Sequence, residues 1–313
     1  WKDRAKGIIK SRCCGRGFMD KKKSTIDKHS STASRLYNRL AVSLGVQYDL
    51  ELECFDITTA FLQGLKFKEI ATKAKELGLE VREHRQVWFN PPANVWRHLR
   101  ENPASDLNVF DIDIHLFLLE LLKALYGLFD GPLLWQLALL YFLKWEAGFT
   151  ISRHDENFLY IVDNLWIHAI CTVHVDDLLV LAKWDFLEWL AGILEKKFGK
   201  PKRNRLPFVH LGISYERLAR DHISLNQVHY LMKIQPASAS SKERLKKDNL
   251  PLDPVEHHAF RSTLCSLLWI CNTTVTIAHR VVALQSEMVT PLMKHLKEVN
   301  ALLSRARKES TMV

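Results

Sequence analysis

The stretch Thr172-Val173-His174-Val175-Asp176-Asp177-Leu178-Leu179-Val180 sets two adjacent carboxylates in the middle of an apolar, β-branched run. The flanking residues read as two strands of a hairpin with the acids at its tip. Burying even one unpaired carboxylate costs several kcal/mol. Two side by side make physical sense when something doubly positive sits against them. A divalent metal is the natural candidate, because hard oxygen ligands suit Mg²⁺ or Mn²⁺. The bland alternative is a solvated turn that happens to be acidic.

Outward from that run, a third acid comes into play. Residues 50–57 alternate like a strand, and Asp56 closes it in Phe55-Asp56-Ile57-Thr58-Thr59-Ala60-Phe61. One carboxylate at a strand end plus a pair at a hairpin tip is the minimum set for clamping two metal ions at a phosphoryl-transfer centre. One metal would lower the pKa of an attacking hydroxyl, and the other would stabilise the leaving pyrophosphate. Asp56 and Asp176 lie 120 residues apart, so their strands can be neighbours only in the fold.

The rest of the chain frames these elements. Ser31-Thr32 reads as an N-cap before Leu36, Leu40 and Leu44 at helical spacing, with Gly45 as the stop. Residues 8–19 suggest a short hairpin, 68–78 an exposed helix, and 84–112, with Pro91-Pro92 and Pro103, a loop-rich stretch. Leu133 to Trp145 is a long apolar helix, and 184–198 an amphipathic one stopped by Gly199. Residues 207–225 suggest two short strands around a polar turn. Residues 236–254 (PASASSKERLKKDNLPLDP) read as a linker, and 255–306 as helical.

Composition bounds the class. At 313 residues, 47% hydrophobic and 25% charged, the chain holds one large domain or two medium ones around a real core, which excludes a disordered tail protein. The longest apolar stretch, Leu133 to Leu143, is interrupted by Gln136 and too short for a bilayer, so no membrane partner is expected. No secretory leader is legible. The chain begins with Trp1, which suggests a piece of something longer. Net charge is +9, and residues 1–50 hold twelve Lys/Arg against four Asp/Glu. Such clustering is the electrostatic footprint of a phosphate-bearing partner, or else a solvated terminus. A second basic cluster, Lys196, Lys197, Lys200, Lys202, Arg203 and Arg205, reads either the same way or as a helix end complementing its dipole. The six cysteines show no CxxC pair and no zinc spacing, which suits a reducing compartment. The doublet His257-His258 reads as surface loop.

At this point the chain resembles a known family, the reverse transcriptase of copia-type LTR retrotransposons. Lys10-Ser11-Arg12 with Gly15-Arg16-Gly17-Phe18 is similar to the opening K-A-R-L-V-A-K/R-G-F, and Asp56 to Gly64 (DITTAFLQG) to D-V-x-T-A-F-L-x-G. Leu122 to Leu128 (LKALYGL), with Pro132 and Trp135, is similar to L-x-K-S/A-L-Y-G-L-K-Q-A-P-R-x-W. His174-Val175-Asp176-Asp177 resembles the Y-V-D-D box. Phe198-Gly199, Leu211-Gly212-Ile213, Leu225-Asn226-Gln227 with Tyr230, and Phe260-Arg261-Ser262 with Ser266-Leu267-Leu268 follow in the family's order.

The resemblance implies an α+β right-hand polymerase, with an antiparallel palm sheet covered by helices. Fingers and palm would occupy 1–235 (fingers about 1–48 and 66–115), a linker 236–254, and a helical thumb- or connection-like segment 255–313. It implies RNA-directed DNA polymerase activity: template-primed transfer of dNTPs with Mg²⁺ (or Mn²⁺) on an RNA or DNA template-primer. Asp56, Asp176 and Asp177 would be the catalytic, metal-binding acids. Lys10, Arg12, Phe61, Tyr126 and Gly127 would bind the nucleotide, with Phe61 where the family excludes a ribose 2′-OH. Core packing is the alternative role for Phe61. The integrase and ribonuclease H parts of such a Pol polyprotein are absent from this chain, and an intracellular location is implied, cytoplasmic in a virus-like particle and/or nuclear.

Departures from the pattern keep a second reading open, a decayed or repurposed retroelement fragment that binds nucleic acid without polymerising. His174 replaces Tyr and brings a group that titrates near neutral pH. Phe129-Asp130-Gly131 replaces Lys-Gln-Ala, losing a cation and gaining a carboxylate near the expected phosphates. Leu133 replaces Arg, Cys13-Cys14 Leu-Val, and Cys265 Gly, while Thr274 to Ala278 stands where R-P-D-I-A is usual. A third reading, an unrelated metal-dependent nuclease or phosphohydrolase using the same acids, leaves the ordered motifs unexplained.

Overall fold

The computed structural model describes residues 14–79, 81, 85–103 and 117–310, together with the backbone of 2–3 and 9–10. It divides the chain into two compact units, Trp1–Arg203 and Asn204–Val313. The class is mixed α and β with antiparallel sheets.

The first unit is built on a six-stranded sheet. Its strands are β1 (Glu51–Asp56), β2 (Thr150–Ile151), β3 (Phe158–Asp163), β4 (Trp166–His174), β5 (Asp177–Ala182) and β6 (Lys202–Arg205), in the order β6-β1-β5-β4-β3-β2. β4 and β5 form the expected hairpin, closed by His174 opposite Asp177. β1 runs antiparallel to β5 from Glu51 opposite Ala182 to Asp56 opposite Asp177. β5 and β4 are therefore the central pair with β1 beside β5, and the buried runs of β1 and β5 are nearly continuous rather than alternating because both faces are covered.

The helices account for that cover. On one face α4 (Gly131–Trp145) and α5 (Trp184–Phe198) bury Trp135, Leu139, Phe142, Leu143, Leu187, Leu190, Leu194 and Phe198 against Phe55, Val173, Leu178 and Val180. At about 25 cal/mol per Å² of apolar surface, such side chains contribute roughly 1.5–3 kcal/mol each. On the other face lies α1 (Arg35–Gln47), capped by the Ser34 hydroxyl, which accepts from the Tyr37 amide. Gly45 does not end this helix, contrary to the sequence reading. It lies inside the last turns, where a Cβ would stand 2.1 Å from Leu181 Cδ2, so its role is close helix–sheet approach. α2 (Ile70–Leu77) occupies the expected exposed segment and ends on Gly78 at φ +79°. α3 (Ala93–Glu101) was read as loop; Pro91-Pro92 does not break it but precedes it, with Pro92 at the N-cap. Of the hairpin expected over 8–19, residues 8 and 11–13 lie outside the described residues. Ile9–Lys10 pairs with Lys2–Asp3, and Gly17–Met19 is a 3₁₀ turn.

The second unit carries three antiparallel strands where two were expected, β7 (Phe208–His210), β8 (Ile213–Ala219) and β9 (His222–Asn226). Its helices are α6 (Pro254–Ile270), α7 (Ala278–Ser286) and α8 (Met293–Ser310), packed through Phe260, Leu264, Leu267, Val281, Leu296 and Leu303. Residues 236–254 are not a free linker. Ala237 exchanges hydrogen bonds of 2.8 Å with the Asn300 side chain, Leu250 and Leu252 pack on the helical core, and Arg244 clamps the buried Glu256 at 2.8 Å. The polar composition of this segment describes its outer face only. His257-His258, read as loop, lies on α6. Among the described residues no helix is long and apolar enough to cross a membrane.

Candidate functional site

The register of β1 on β5 decides the geometry of the acids. The Ile57 amide donates to the Asp176 carbonyl at 2.9 Å, so Asp56 and Asp177 face each other as the next, non-hydrogen-bonded pair. Directly opposed residues share a face, and in such a pair the Cβ atoms stand about 4.5–5.5 Å apart. His174, opposite Asp177 across the hairpin, lies on the same face. A row Asp56–Asp177–His174 thus crosses three strands at one end of the sheet, with Asp176 exposed in the turn beside it.

The turn is held under strain. Val175 has φ +58°, while Asp176 does not share the left-handed conformation, which is the type II′ pattern. A β-branched residue at positive φ costs on the order of 1–3 kcal/mol and persists only where its surroundings impose it. The buried Trp135 of α4 does so: its indole N–H donates to the Val175 carbonyl at 2.7 Å.

The electrostatics follow from this crowding. Burial, then Asp176 and Asp56, push Asp177 up to about 6, with Lys202 opposing them. Burial lowers His174, against the pull of Asp176, which favours the neutral imidazole. Cys54, two residues before Asp56 on the same face, is pushed up to about 12 by burial and by Asp177, Asp56 and Glu53, and stays a thiol. Lys202 Nζ lies 2.5 Å from Asp56 Oδ2. Its neighbour Arg203 turns to the opposite face, bonding Glu53 at 2.6 and 2.8 Å and Glu188 at 2.7 and 2.9 Å. The second basic cluster is therefore partly a strand pairing with acids, a reading its alternation over 202–203 would have allowed. The side-chain oxygens of Asp56, Asp176 and Asp177 do not all lie within 4.8 Å of one another: the structure opposes two of the acids and leaves the third beside them in the turn. As ligand types, carboxylates are what hard divalent cations take.

The remaining residues fall into two groups. Phe61 and Tyr126 meet edge to face with centroids 5.6 Å apart. Gly127, at φ +90°, lies so close to Gly15 that a Cβ there would stand 2.2 Å from the Gly15 carbonyl oxygen, and one on Gly17 would stand 2.0 Å from that of Gly127. The Gly15 amide donates to the Tyr126 carbonyl at 2.6 Å. Gln63 donates to the Phe198 carbonyl at 2.6 Å, and the Leu65 amide to that of Leu134 at 3.2 Å. Segments 15–17, 56–65, 126–135 and 174–177, scattered along the sequence, are thus bonded to one another in one unit. The Lys10 side chain and Arg12 lie outside the described residues.

Asp130 does not face solvent as an uncompensated charge. It is buried and bidentate with Arg85, at 2.8 and 2.9 Å, and Arg85 also bonds Asp20. Burial would raise Asp20, but the Lys22 amide and Arg85 hold it below the usual carboxylate range. Nothing in the local sequence around residue 130 announces its partner 45 positions away.

No protein family, curated protein or solved structure matches this chain.

Proposed function

We propose that the chain is the RNA-directed DNA polymerase part of a copia-type retrotransposon Pol polyprotein, with the six-stranded sheet as the palm of a right-hand polymerase. The observation that carries this reading is the opposition of Asp56 and Asp177 across β1 and β5 with Asp176 next to them in a strained turn. The bonding of the four resemblance segments into one unit supports it, since nothing in composition requires those stretches to meet.

In this reading Asp56, Asp176 and Asp177 hold Mg²⁺, which when bound activates the primer hydroxyl and neutralises the triphosphate. The protein's own part is placement. The register fixes the two opposed carboxylates, Trp135 fixes the turn that carries the third, and burial of His174 disfavours a positive charge at the end of the row. Phe61 on Tyr126 forms the wall against the sugar of a bound dNTP, and the basic N-terminal fifty residues meet the template-primer backbone.

The test is primer extension on poly(rA)–oligo(dT) with Mg²⁺ and dTTP. The wild-type chain is expected to extend the primer, and Asp176→Asn to lose at least about a thousandfold, since metal-site electrostatics supply several kcal/mol of barrier lowering. Asp176 is exposed, so the variant is expected to keep its fold by circular dichroism. A folded wild-type chain without extension, beside an active control polymerase, would leave the second reading, a nucleic-acid-binding fragment that no longer polymerises. The ion pair of Lys202 with Asp56 is the observation in that reading's favour. Salt-dependent nucleic-acid binding without extension is its signature.

A further inference from the structure

Lys202 is the charged group at the carboxylate row that the polymerase reading leaves without a role. Strand alternation divides the labour on β6. Arg203 is clamped by Glu53 and Glu188 and lies over the Phe55 ring at 5.5 Å, which anchors the strand. Lys202 is thereby delivered to the other face, where its ammonium meets Asp56 at 2.5 Å. The two neighbours differ in freedom. Glu53 is fully buried, and the Arg203 side chain is 25% exposed, whereas the Lys202 side chain is 68% exposed on a flexible four-carbon stem. Asp56 keeps 30% exposure on the same side. An ammonium so placed is a single positive charge on one of the three acids, and it can swing into water at little cost.

We propose that Lys202 is an internal cation that competes with the divalent metal for Asp56, holding the site closed until the metal concentration is high enough to displace it. This rests on the reading of Asp56, Asp176 and Asp177 as metal ligands. Competition has a consequence that a supporting role lacks. If Lys202 merely helped to assemble the site, its removal would leave metal binding unchanged or weaken it. If it competes, removal must tighten binding.

The experiment is a Mn²⁺ titration of the full chain followed by the electron paramagnetic resonance signal of free Mn²⁺, a readout independent of catalysis. Lys202→Met is expected to lower the apparent Kd about two- to fivefold, the scale of one solvent-exposed ion pair. Lys202→Arg, which keeps the charge, is expected to bind like wild type, and Asp177→Asn to lose binding. Thermal unfolding of each variant confirms the fold. If Lys202→Met binds no tighter than wild type while Asp177→Asn abolishes binding, the competition is overturned and the metal reading stands. Tightening by Lys202→Arg as well would make the effect one of bulk rather than charge and would also overturn it. Absence of binding in both wild type and Lys202→Met at millimolar Mn²⁺ would overturn the metal reading and this proposal together. Binding that appears only in Lys202→Met would be its strongest support.

Discussion

Phe61 has two claims on it, and the residue scale separates them. It packs partly on the sheet core and meets Tyr126 edge to face, so it is a structural residue in any case. The proposed function adds a second job, rejection of the ribose 2′-OH. Phe61→Val removes the ring but keeps an apolar side chain. It is expected to cost about 1–3 kcal/mol of stability and to raise rNTP incorporation relative to dNTP by at least tenfold in single-nucleotide extension. Unchanged discrimination with the stability loss alone would return Phe61 to packing only. Asp176 and Asp177 separate in the same way. They are adjacent, yet one faces water in the turn and the other begins a buried strand, where burial and its neighbours drive it to about 6.

Between elements, two contacts carry consequences. The first is Trp135 of α4 on the Val175 carbonyl. Trp135→Phe keeps a ring in the core but removes the donor, leaving a strained turn without its anchor. Stability is expected to fall by about 1–3 kcal/mol in denaturant titration, and extension rate by at least tenfold at saturating nucleotide, because the turn carries Asp176. Equal activity in a folded variant would show that the turn holds itself. The second is Arg85, which ties Asp130 at the start of α4 to Asp20. Breaking a buried pair from one side strands a charge, whereas replacing both partners does not. Arg85→Met is expected to destabilise by about 3–5 kcal/mol, and Arg85→Met with Asp130→Leu to recover more than half of that loss. Additive losses in the double-mutant cycle would mean that the two side chains are not coupled. Asp130 is thus a matched charge rather than the uncompensated one the sequence suggested.

For the whole molecule, one buried ion pair in the second unit sets a marked acid dependence. In the second unit Arg244, together with the Ser240 and Asp253 amides, holds the buried Glu256 down to about 2, below its ordinary 4.5. The folded state therefore keeps this group ionised more readily than the unfolded chain does. Its contribution is fully present above about pH 4.5 and is lost as pH falls toward 2. Arg244→Met is expected to destabilise the chain by about 3 kcal/mol at pH 7. It should also flatten the stability change between pH 4.5 and 2, as read by thermal unfolding. A variant whose acid profile is as steep as wild type would place the acid sensitivity elsewhere.

Much of this was legible in the amino-acid order. The two β-type runs around the acids, the strand ending at Asp56 and the helix stopped by Gly199 stand where the residues place them, because propensity, alternation and a terminating glycine act within a few positions. The same locality explains the misses. Gly45 read as a stop because its reason for being glycine is Leu181, on another element. Residues 236–254 read as a linker because only their partners Asn300 and Glu256 show that they are packed. The sequence by itself determined which residues are chemically capable: three carboxylates, aromatic residues near them in the motifs, a basic end. Only the tertiary structure decided that Asp56 faces Asp177, that Lys202 reaches Asp56 and that Arg85 neutralises Asp130. These are pairings between residues 45 to 146 positions apart. Strand register and burial set them, and neither is encoded within a single local stretch.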